Sequence, residues 1–453
     1  MTKTDPPDTA TAQANATATE PTATAQALQT SAVKPATGLP VWLTALVWLT
    51  RALTGATFIF SGWAKAVDPW GTVFKLDDYF AVWGLSVSNE LTLIGACLLA
   101  AFEFTLGVLL LTGSFKRLAV WLGIAMMAVM LPLTVWIYAT DPVSDCGCFG
   151  EALVLSNGAT LLKNIVLTAL LVFLVIFNRR VPSAVNPRLQ WLLVVCGVIY
   201  CGVMSVYGYL VQPWVDFRDY PIGSTLSDSS VTSGATLVYA KDGVERSFSA
   251  DSLPGDDWEF VRRGTAEATP SGRQLAIFDE FGDDVTADLA EESSNGLVIL
   301  TVSNPLAHGI SRSRMANNIY HYITERGGTM VAVIADEDPQ EWATRVGAEF
   351  PVYSADDTDL KAFARGNAAL VYVVDDIIRW KYALSALPPD MCAPGNSRPD
   401  INVLDRVRPA EHSPFMSFVS GLFAVIVCLL MLVSLFPALF TRFRRLGNLQ
   451  KFS

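Results

Sequence analysis

Two cysteines separated by a single glycine, Cys146 and Cys148 around Gly147, are the residues in this sequence best suited to chemistry. Thiols at this spacing can form a small-ring disulfide, and strained or exposed disulfides tend to be the reactive ones. The motif therefore indicates thiol–disulfide exchange. A stable loop staple and a soft-metal site stay open as alternatives, although two thiolates alone make an incomplete zinc site.

A third thiol and two charges are the other candidate site residues. Cys392 lies in a proline-rich segment that returns to the membrane, where it could exchange with Cys146 or Cys148 or could stay a lone cysteine. Arg51 and Glu103 fall within apolar stretches, where charges are rare and usually paired. At about 1.5 Å per residue their depths are similar, so the sequence predicts an Arg51–Glu103 ion pair. A structural clamp is favoured over a proton or quinone site.

The composition places much of the chain in lipid. Hydrophobic residues make up 51% and charged residues 17% of the 453 residues, whereas soluble proteins carry roughly 25% charged residues. Residues 213–413 hold 32 Asp and Glu against 17 Lys and Arg, which leaves 11 acids and 15 bases elsewhere. A basic, apolar part is thus joined to an acidic, water-soluble part, and this balance argues against nucleic acid as a partner.

Six apolar stretches reach the length of about 20 residues that a membrane helix needs. They are 41–64, 90–113, 118–139, 159–178, 189–211 and 415–440. With a cytosolic N-terminus, eleven Lys and Arg flank the helices inside and three flank them outside, which fits the positive-inside rule. We therefore expect a multi-pass protein of the bacterial inner membrane, with both termini cytosolic and the large soluble region periplasmic.

The remaining organisation follows from local patterns. Residues 1–38 are expected to form a disordered cytosolic tail and 39–212 a five-span membrane domain. Val73, Leu76, Phe80 and Trp83 recur at helical spacing, which predicts a short helix at the outer interface. Residues 389–413 are expected to form a linker, 414–442 the sixth span and 443–453 a cytosolic tail.

The soluble region divides into two parts. Residues 213–292 are rich in Gly, Ser and Asp, and Asp242-Gly243 is a strong turn signal, so we expect a β-rich subdomain with hairpins. From 293 to 388, strands alternate with helices, as is typical of an α/β sandwich. The predicted strands are 297–302, 330–335, 350–353, 370–374 and 377–382, and the predicted helices are 312–326 and 339–346.

Two motifs carry a family resemblance in the membrane part. The first runs from Arg51 through Ser61-Gly62-Trp63-Ala64-Lys65 to Asp68-Pro69, with Glu103 further on. It resembles the opening helices of the DoxX-like membrane family. The second, Asp145-Cys146-Gly147-Cys148-Phe149-Gly150 followed by Leu162-Lys163-Asn164, resembles the MauE branch, the methylamine-utilisation membrane proteins. The resemblance covers about 45–180 and implies a four-helix bundle tied to disulfide formation or maturation of periplasmic proteins; methylamine as a substrate does not follow.

The order of strands and helices over about 275–385 resembles the thioredoxin-like fold, in particular its periplasmic redoxin branch. That family places Cys-x-x-Cys after the first core strand, whereas this chain has Ser303-Asn304-Pro305-Leu306-Ala307-His308-Gly309, without a thiol. Ala368 stands near the place of the family's cis-proline. The departure implies a domain without oxidoreductase activity that binds or docks a partner. His308 is interpreted as a surface histidine rather than a functional one.

The leading hypothesis is a six-span helical membrane bundle with an inserted α/β thioredoxin-like domain. It would support thiol–disulfide chemistry, through a possible oxidoreductase activity of the Cys-Gly-Cys loop, or the assembly of a periplasmic partner. The competing hypothesis is a non-catalytic scaffold or adaptor in which the cysteines only staple a loop. The expected partners are the lipid bilayer and a periplasmic or membrane protein. No cofactor is evident, a quinone stays open without support, and no metal site is expected.

Overall fold

The computed structural model describes most of the chain. It covers residues 39–143, 146–218, 220–227, 236–241, 244–248, 259–264, 275–303, 310–335, 338–393, 402–409 and 413–449. The predictions for the tail 1–38, Asp145, the Asp242-Gly243 turn, His308 and residues 450–453 lie outside these ranges.

Among the described residues, six helices are long and apolar enough to cross a membrane, and the N-terminal part holds five of them. They are α1 (Val41–Val67), α3 (Asn89–Thr112), α4 (Lys116–Thr140), α5 (Asn157–Phe177) and α6 (Gln190–Leu210). The expected interfacial helix is present as α2 (Pro69–Val82). Asp68 caps α2 by accepting a hydrogen bond from the backbone N–H of Gly71 at 3.0 Å, and a proline suits the first helical position because its missing N–H has no partner there.

Helices α1 and α3 pack against each other at very short range because glycines line their contact. A Cβ at Gly62 would lie 2.3 Å from the backbone nitrogen of Phe104, and one at Gly107 would lie 2.5 Å from the backbone nitrogen of Ile59. Small residues let membrane helices approach closely enough for extensive van der Waals contact. The two helices are therefore fixed in one antiparallel register.

The first three strands of the soluble region form a small antiparallel sheet in the order β2-β1-β3. They are β1 (Thr236–Lys241), β2 (Val244–Phe248) and β3 (Glu259–Gly264). Lys241 pairs with Val244 at the end of the β1–β2 ladder, so the expected hairpin is present.

A mixed six-stranded sheet in the order β4-β7-β6-β5-β8-β9 forms the centre of the soluble region. Its strands are β4 (Ile277–Phe278), β5 (Leu297–Val302), β6 (Thr329–Ile334), β7 (Val352–Ala355), β8 (Ala369–Val374) and β9 (Ile377–Ala383). The strands β5, β6 and β7 are parallel, and β8 and β9 are antiparallel to their neighbours. All residues of β5 are buried, as expected for a central strand with covered faces.

Helices α7 (Thr286–Glu291), α8 (Ile310–Thr324), α9 (Pro339–Val346) and α10 (Asp357–Phe363) complete this domain. The predicted strands and helices are present with small shifts at their ends, and α7 and α10 are additional helices. For α10 a sequence signal exists in Asp356, whose carboxylate accepts from the N–H groups of Thr358 and Asp359. The predicted strand 350–353 begins later, at Val352, because Pro351 has no N–H for the ladder.

The sixth apolar helix, α11 (Pro414–Leu449), returns to the bundle. Its apolar stretch is Pro414–Leu435. The ring of Phe423 stacks on that of Tyr200 in α6 at 4.6 Å between centroids, and the hydroxyl of Ser434 accepts from the backbone N–H of Asn186 at 2.8 Å. The chain is thus a multi-pass membrane protein with a mixed-sheet domain inserted before its last span.

Candidate thiol site

The two cysteines of the Cys-Gly-Cys motif lie in direct contact in the loop that follows α4. The sulfur atoms of Cys146 and Cys148 are 2.8 Å apart. Gly147 between them has φ +65°, and a Cβ there would lie 3.2 Å from Cγ of Lys75. A side chain at this position would therefore face both an unfavourable backbone conformation and a close neighbour, which explains the glycine.

Beneath the loop, a buried polar cluster holds the backbone of Cys148. The ammonium of Lys65 in α1 contacts the Glu103 carboxylate of α3 at 2.9 Å, and both side chains are about 5% exposed or less. Ser61 lies 2.7 Å from the same carboxylate and 2.6 Å from the Cys148 carbonyl. Lys65 also donates to that carbonyl. The intramembrane charge pair therefore supports the thiol loop directly.

The predicted Arg51–Glu103 ion pair is wrong. Arg51 is fully buried, but Nε donates to the side-chain oxygen of Asn178 at 2.7 Å and Nη1 to the carbonyl of Pro182 at 2.8 Å. Its other guanidinium nitrogen contacts the carbonyls of Asn178 and Val181. Arg51 thus ties α1 to the connection between α5 and α6.

The close-packed register of α1 and α3 explains this correction. The Arg51 guanidinium lies beside Gly113, at the end of α3. Glu103 is ten residues back along α3, about 15 Å away at 1.5 Å per residue. The sequence analysis inferred similar depths in the membrane for Arg51 and Glu103. It did not allow for the length of the Arg51 side chain, which extends toward the end of α3. Lys65, near the opposite end of α1, meets Glu103 instead.

The surroundings of the two cysteines give their thiols different pKa values. The hydrogen bond from the Cys146 thiol lowers the pKa of Cys148 to about 6 against the effect of burial, and the ammonium groups of Lys163 and Lys65 add to the lowering. The same hydrogen bond, together with burial, raises the pKa of Cys146. Lys163 is held in place over the ring of Phe149 at 4.1 Å. The reduced pair thus carries a thiolate on Cys148 at neutral pH.

This assignment predicts the pH dependence of alkylation. The rate of reaction of Cys148 with iodoacetamide should rise through about pH 6 and level off above it, since the thiolate is the nucleophile. An ordinary thiol, with a pKa of about 8.5, would keep gaining reactivity up to about pH 9. Lys163→Met should move the midpoint to higher pH, whereas Lys116→Met, which changes a cation outside this cluster, should not. Mass spectrometry of the Cys148 peptide measures the rate, and a midpoint near pH 8.5 in the unmodified protein would contradict the assignment.

The structure places Cys392 away from this loop. Cys392 is 6% exposed and packs in the core of the mixed-sheet domain with Trp380 and Leu404. Burial raises the pKa of its thiol to about 12. The role expected for it as a third exchanging thiol is therefore corrected to that of an apolar packing residue, because a neutral, buried thiol is a poor nucleophile.

Arg365 makes a contact that the sequence did not indicate, and this contact joins the mixed-sheet domain to the thiol loop. Arg365 lies just before β8, and its Nη2 contacts the carboxylates of Asp68 at 2.8 Å and Glu151 at 2.5 Å. Glu151 follows the Cys-Gly-Cys-Phe-Gly run directly. The amide nitrogen of Gln212 donates to the Arg365 carbonyl at 2.7 Å. One fully buried side chain therefore bridges the end of α1, the loop and the soluble domain.

Arg365 lies at the end of the sheet where β5 ends and β8 begins. A thioredoxin-like domain would carry its thiols at this same end, just after its first core strand. Thr301 near the end of β5 pairs with Ala369 at the start of β8. Just beyond them, the Ser303 hydroxyl donates to the carbonyl of Gly366 at 2.8 Å. Ser303 thus lies next to the contact with the membrane domain.

Comparisons with known proteins match two parts of this chain to described families. Residues 43–177 match the family described as methylamine utilisation protein MauE. This match confirms the resemblance to MauE, over a range that contains the Cys-Gly-Cys loop. Residues 235–266 match a domain of unknown function (DUF8463). Protein TlpB of Flavobacterium psychrophilum is 25% identical over 215 residues, which are 46% of this chain and 56% of that protein. The match thus spans about half of each protein. No solved structure matches this chain.

Proposed function

We propose that this protein oxidises thiols of an exported partner by thiol–disulfide exchange at Cys146 and Cys148. The observation that carries the proposal is the contact of the two sulfurs at 2.8 Å above the buried Lys65–Glu103 pair, with the pKa of Cys148 lowered to about 6. The match of residues 43–177 to MauE supports a role in the maturation of other proteins.

The unequal acidities give the exchange a direction. In the oxidised protein a partner thiolate attacks the Cys146 sulfur, a mixed disulfide forms, and Cys148 leaves as a thiolate because the thiol of lower pKa leaves faster. A second partner thiolate attacks the partner sulfur of the mixed disulfide, and Cys146 is released and takes up a proton. The partner loses two electrons and the Cys146–Cys148 pair gains them. Because Cys146 is 7% exposed, the attack requires local movement of the loop.

We further propose that the mixed-sheet domain is thioredoxin-like and serves as a docking platform. Parallel strands β5, β6 and β7 flanked by antiparallel β8 and β9 support this assignment. The segment 303–309 contains no cysteine, so the domain cannot exchange thiols there. The positive-inside count of Lys and Arg puts this domain and the thiol loop on the periplasmic side of a bacterial inner membrane. A periplasmic or membrane protein is then the partner.

A non-catalytic adaptor is the second candidate function. It is favoured by the Arg365 bridge, because a buried ion pair that fixes Glu151 beside the thiol loop suits a rigid structural element. In that case the Cys146–Cys148 bond would be a staple. Structural disulfides resist reduction to about −300 mV, whereas bonds used for exchange have higher potentials.

Trapping of mixed disulfides tests the proposal in cells. In Cys148→Ala the Cys146 thiolate can still attack a partner that already carries a disulfide, which is the reverse of the exchange, and one partner sulfur leaves as a thiolate. The thiol that would displace the partner from Cys146 is missing, so mixed disulfides should accumulate on Cys146, while Cys146→Ala should trap far less. A maleimide that cannot cross membranes, added to spheroplasts, should label Cys148 of the reduced protein and thereby also test the periplasmic placement. The matched control is Cys428→Ala in α11, an exposed cysteine far from the loop in sequence.

Redox titration of the purified protein separates the two candidate functions. Exchange predicts a potential above about −300 mV and a Cys146→Ser variant that is abundant but inactive. If the pair stays oxidised down to about −300 mV and neither alanine variant traps a partner, exchange is excluded and the adaptor remains.

A further inference from the structure

A cavity of about 130 Å³ lies directly against the thiol loop, between α2, α3 and α4. Cys146 and Cys148 form one wall, and Tyr79, Trp83 and Leu99 are among the predominantly apolar remainder. An engineered apolar cavity of roughly 150 Å³ binds benzene. The cavity is therefore of the right size for one six-membered ring placed against the two cysteines.

The cavity contains a polar group without a partner. The hydroxyl of Thr72 is buried and makes no hydrogen bond within the described part of the chain. Thr72 is 6% exposed and lines the cavity. Leaving a buried hydroxyl unsatisfied costs free energy, so such groups call for a specific explanation. A ligand with a hydrogen-bond acceptor on its ring would supply the missing partner.

The position of the cavity indicates where such a ligand comes from. Trp83, at the end of the interfacial helix α2, is 49% exposed, and Leu98 beside Leu99 on α3 is 66% exposed on a predicted membrane-spanning helix. Large apolar side chains exposed on a spanning helix face lipid. The cavity thus lies at the boundary between the thiols and the bilayer rather than in the soluble domain.

We infer that this cavity binds the ring of a lipid-soluble benzoquinone, which takes the electron pair of the Cys146–Cys148 dithiol. The inference rests on the proposed function, because it names the acceptor that returns the pair to its oxidised state. Four observations carry it: both cysteines line the cavity, the cavity has the size of one ring, the Thr72 hydroxyl has no partner within the described residues, and apolar surface of a spanning helix is adjacent. Thr72 would donate to a quinone carbonyl oxygen.

The redox step balances without a further reactant. A Cys146–Cys148 S–S bond forms, and the pair gives up two electrons. The quinone accepts both electrons and two protons and becomes a quinol. One proton comes from the Cys146 thiol, and the other comes from water, because Cys148 starts as a thiolate. The quinol returns to the bilayer.

Anaerobic oxidation of the reduced, full-length protein in detergent by a one-isoprene ubiquinone tests the inference. The loss of quinone absorbance should match disulfide formation between Cys146 and Cys148, one quinone per protein, as measured by mass spectrometry. Thr72→Val should raise the half-saturating quinone concentration roughly two- to tenfold, in keeping with one lost hydrogen bond. Thr140→Val is the matched control, because this exposed threonine bonds its own helix and should leave the concentration unchanged. Leu99→Trp, which fills the cavity, should abolish saturable oxidation.

The outcomes distinguish this inference from the proposed function. If oxidised glutathione reoxidises the pair but ubiquinone does not, the quinone site is wrong and thiol exchange stands. Equal half-saturating concentrations in the unmodified protein, Thr72→Val and Leu99→Trp would likewise overturn the site. If the pair exchanges with neither glutathione nor a dithiol buffer, the proposed function itself fails.

Discussion

Replacing Arg365 with methionine is expected to release the mixed-sheet domain from the thiol loop. The guanidinium is 1% exposed and holds two carboxylates, those of Asp68 and Glu151. Without it the two acids face each other with no cation, and breaking a buried pair in this way costs about 3–5 kcal/mol. Hydrogen exchange at residues 150–152 should increase, and the connection around Gln212 should become sensitive to protease.

A neighbouring cation provides the control for this prediction. Lys361 carries the same charge and lies on α10, before Arg365 in the chain, but its pair with Asp357 is partly exposed and is worth about 0–1 kcal/mol. Lys361→Met should therefore leave hydrogen exchange in the loop unchanged. Arg365→Lys should recover only part of the protection, since an ammonium cannot reproduce the planar fork of a guanidinium. Equal protection in Arg365→Met and the unmodified protein would show that other contacts dock the domain.

Removal of the charge of Glu103 is expected to have the second large effect. In Glu103→Gln the Lys65 ammonium stays buried inside the bundle without a counter-charge, at a cost of about 3–5 kcal/mol to the free energy of unfolding. Unfolding in mixed micelles measures the loss. The double variant Lys65→Met with Glu103→Leu should be more stable than Glu103→Gln, because no unpaired charge remains.

Two further measurements serve as controls for this prediction. Glu90→Gln, an exposed change in the first turn of the same helix, should alter stability by no more than about 0.5 kcal/mol. Arg51→Met with Glu103→Leu should show no recovery beyond the sum of the single effects, because Arg51 bonds Asn178 and Pro182 instead. Recovery in that pair would contradict the assignment of Lys65 as the partner of Glu103.

The sequence by itself determined the elements and the loop that could do chemistry. An apolar run of about 20 residues has no stable alternative to a membrane helix, so the spans follow directly from composition. The central strands, such as Leu297–Val302, are continuous apolar runs bounded by turn residues and are found where they were predicted. The contact between Cys146 and Cys148 could be predicted from their spacing alone, because residues two positions apart in the chain cannot lie far apart in space.

Only the tertiary structure decided which distant side chains meet. Glu103 pairs with Lys65 because glycines fix the register of α1 on α3, and a register cannot be read from the depths of single charges. Arg365 reaches Asp68 across 297 positions of the chain, and nothing local to Arg365 marks it as buried. The place of Cys392 in the chain makes it a candidate for exchange with the thiol loop, yet it packs inside the mixed-sheet domain. Sequence patterns indicate the local conformation of residues that are close in the chain. Contacts between distant residues depend on how the helices and strands pack against one another.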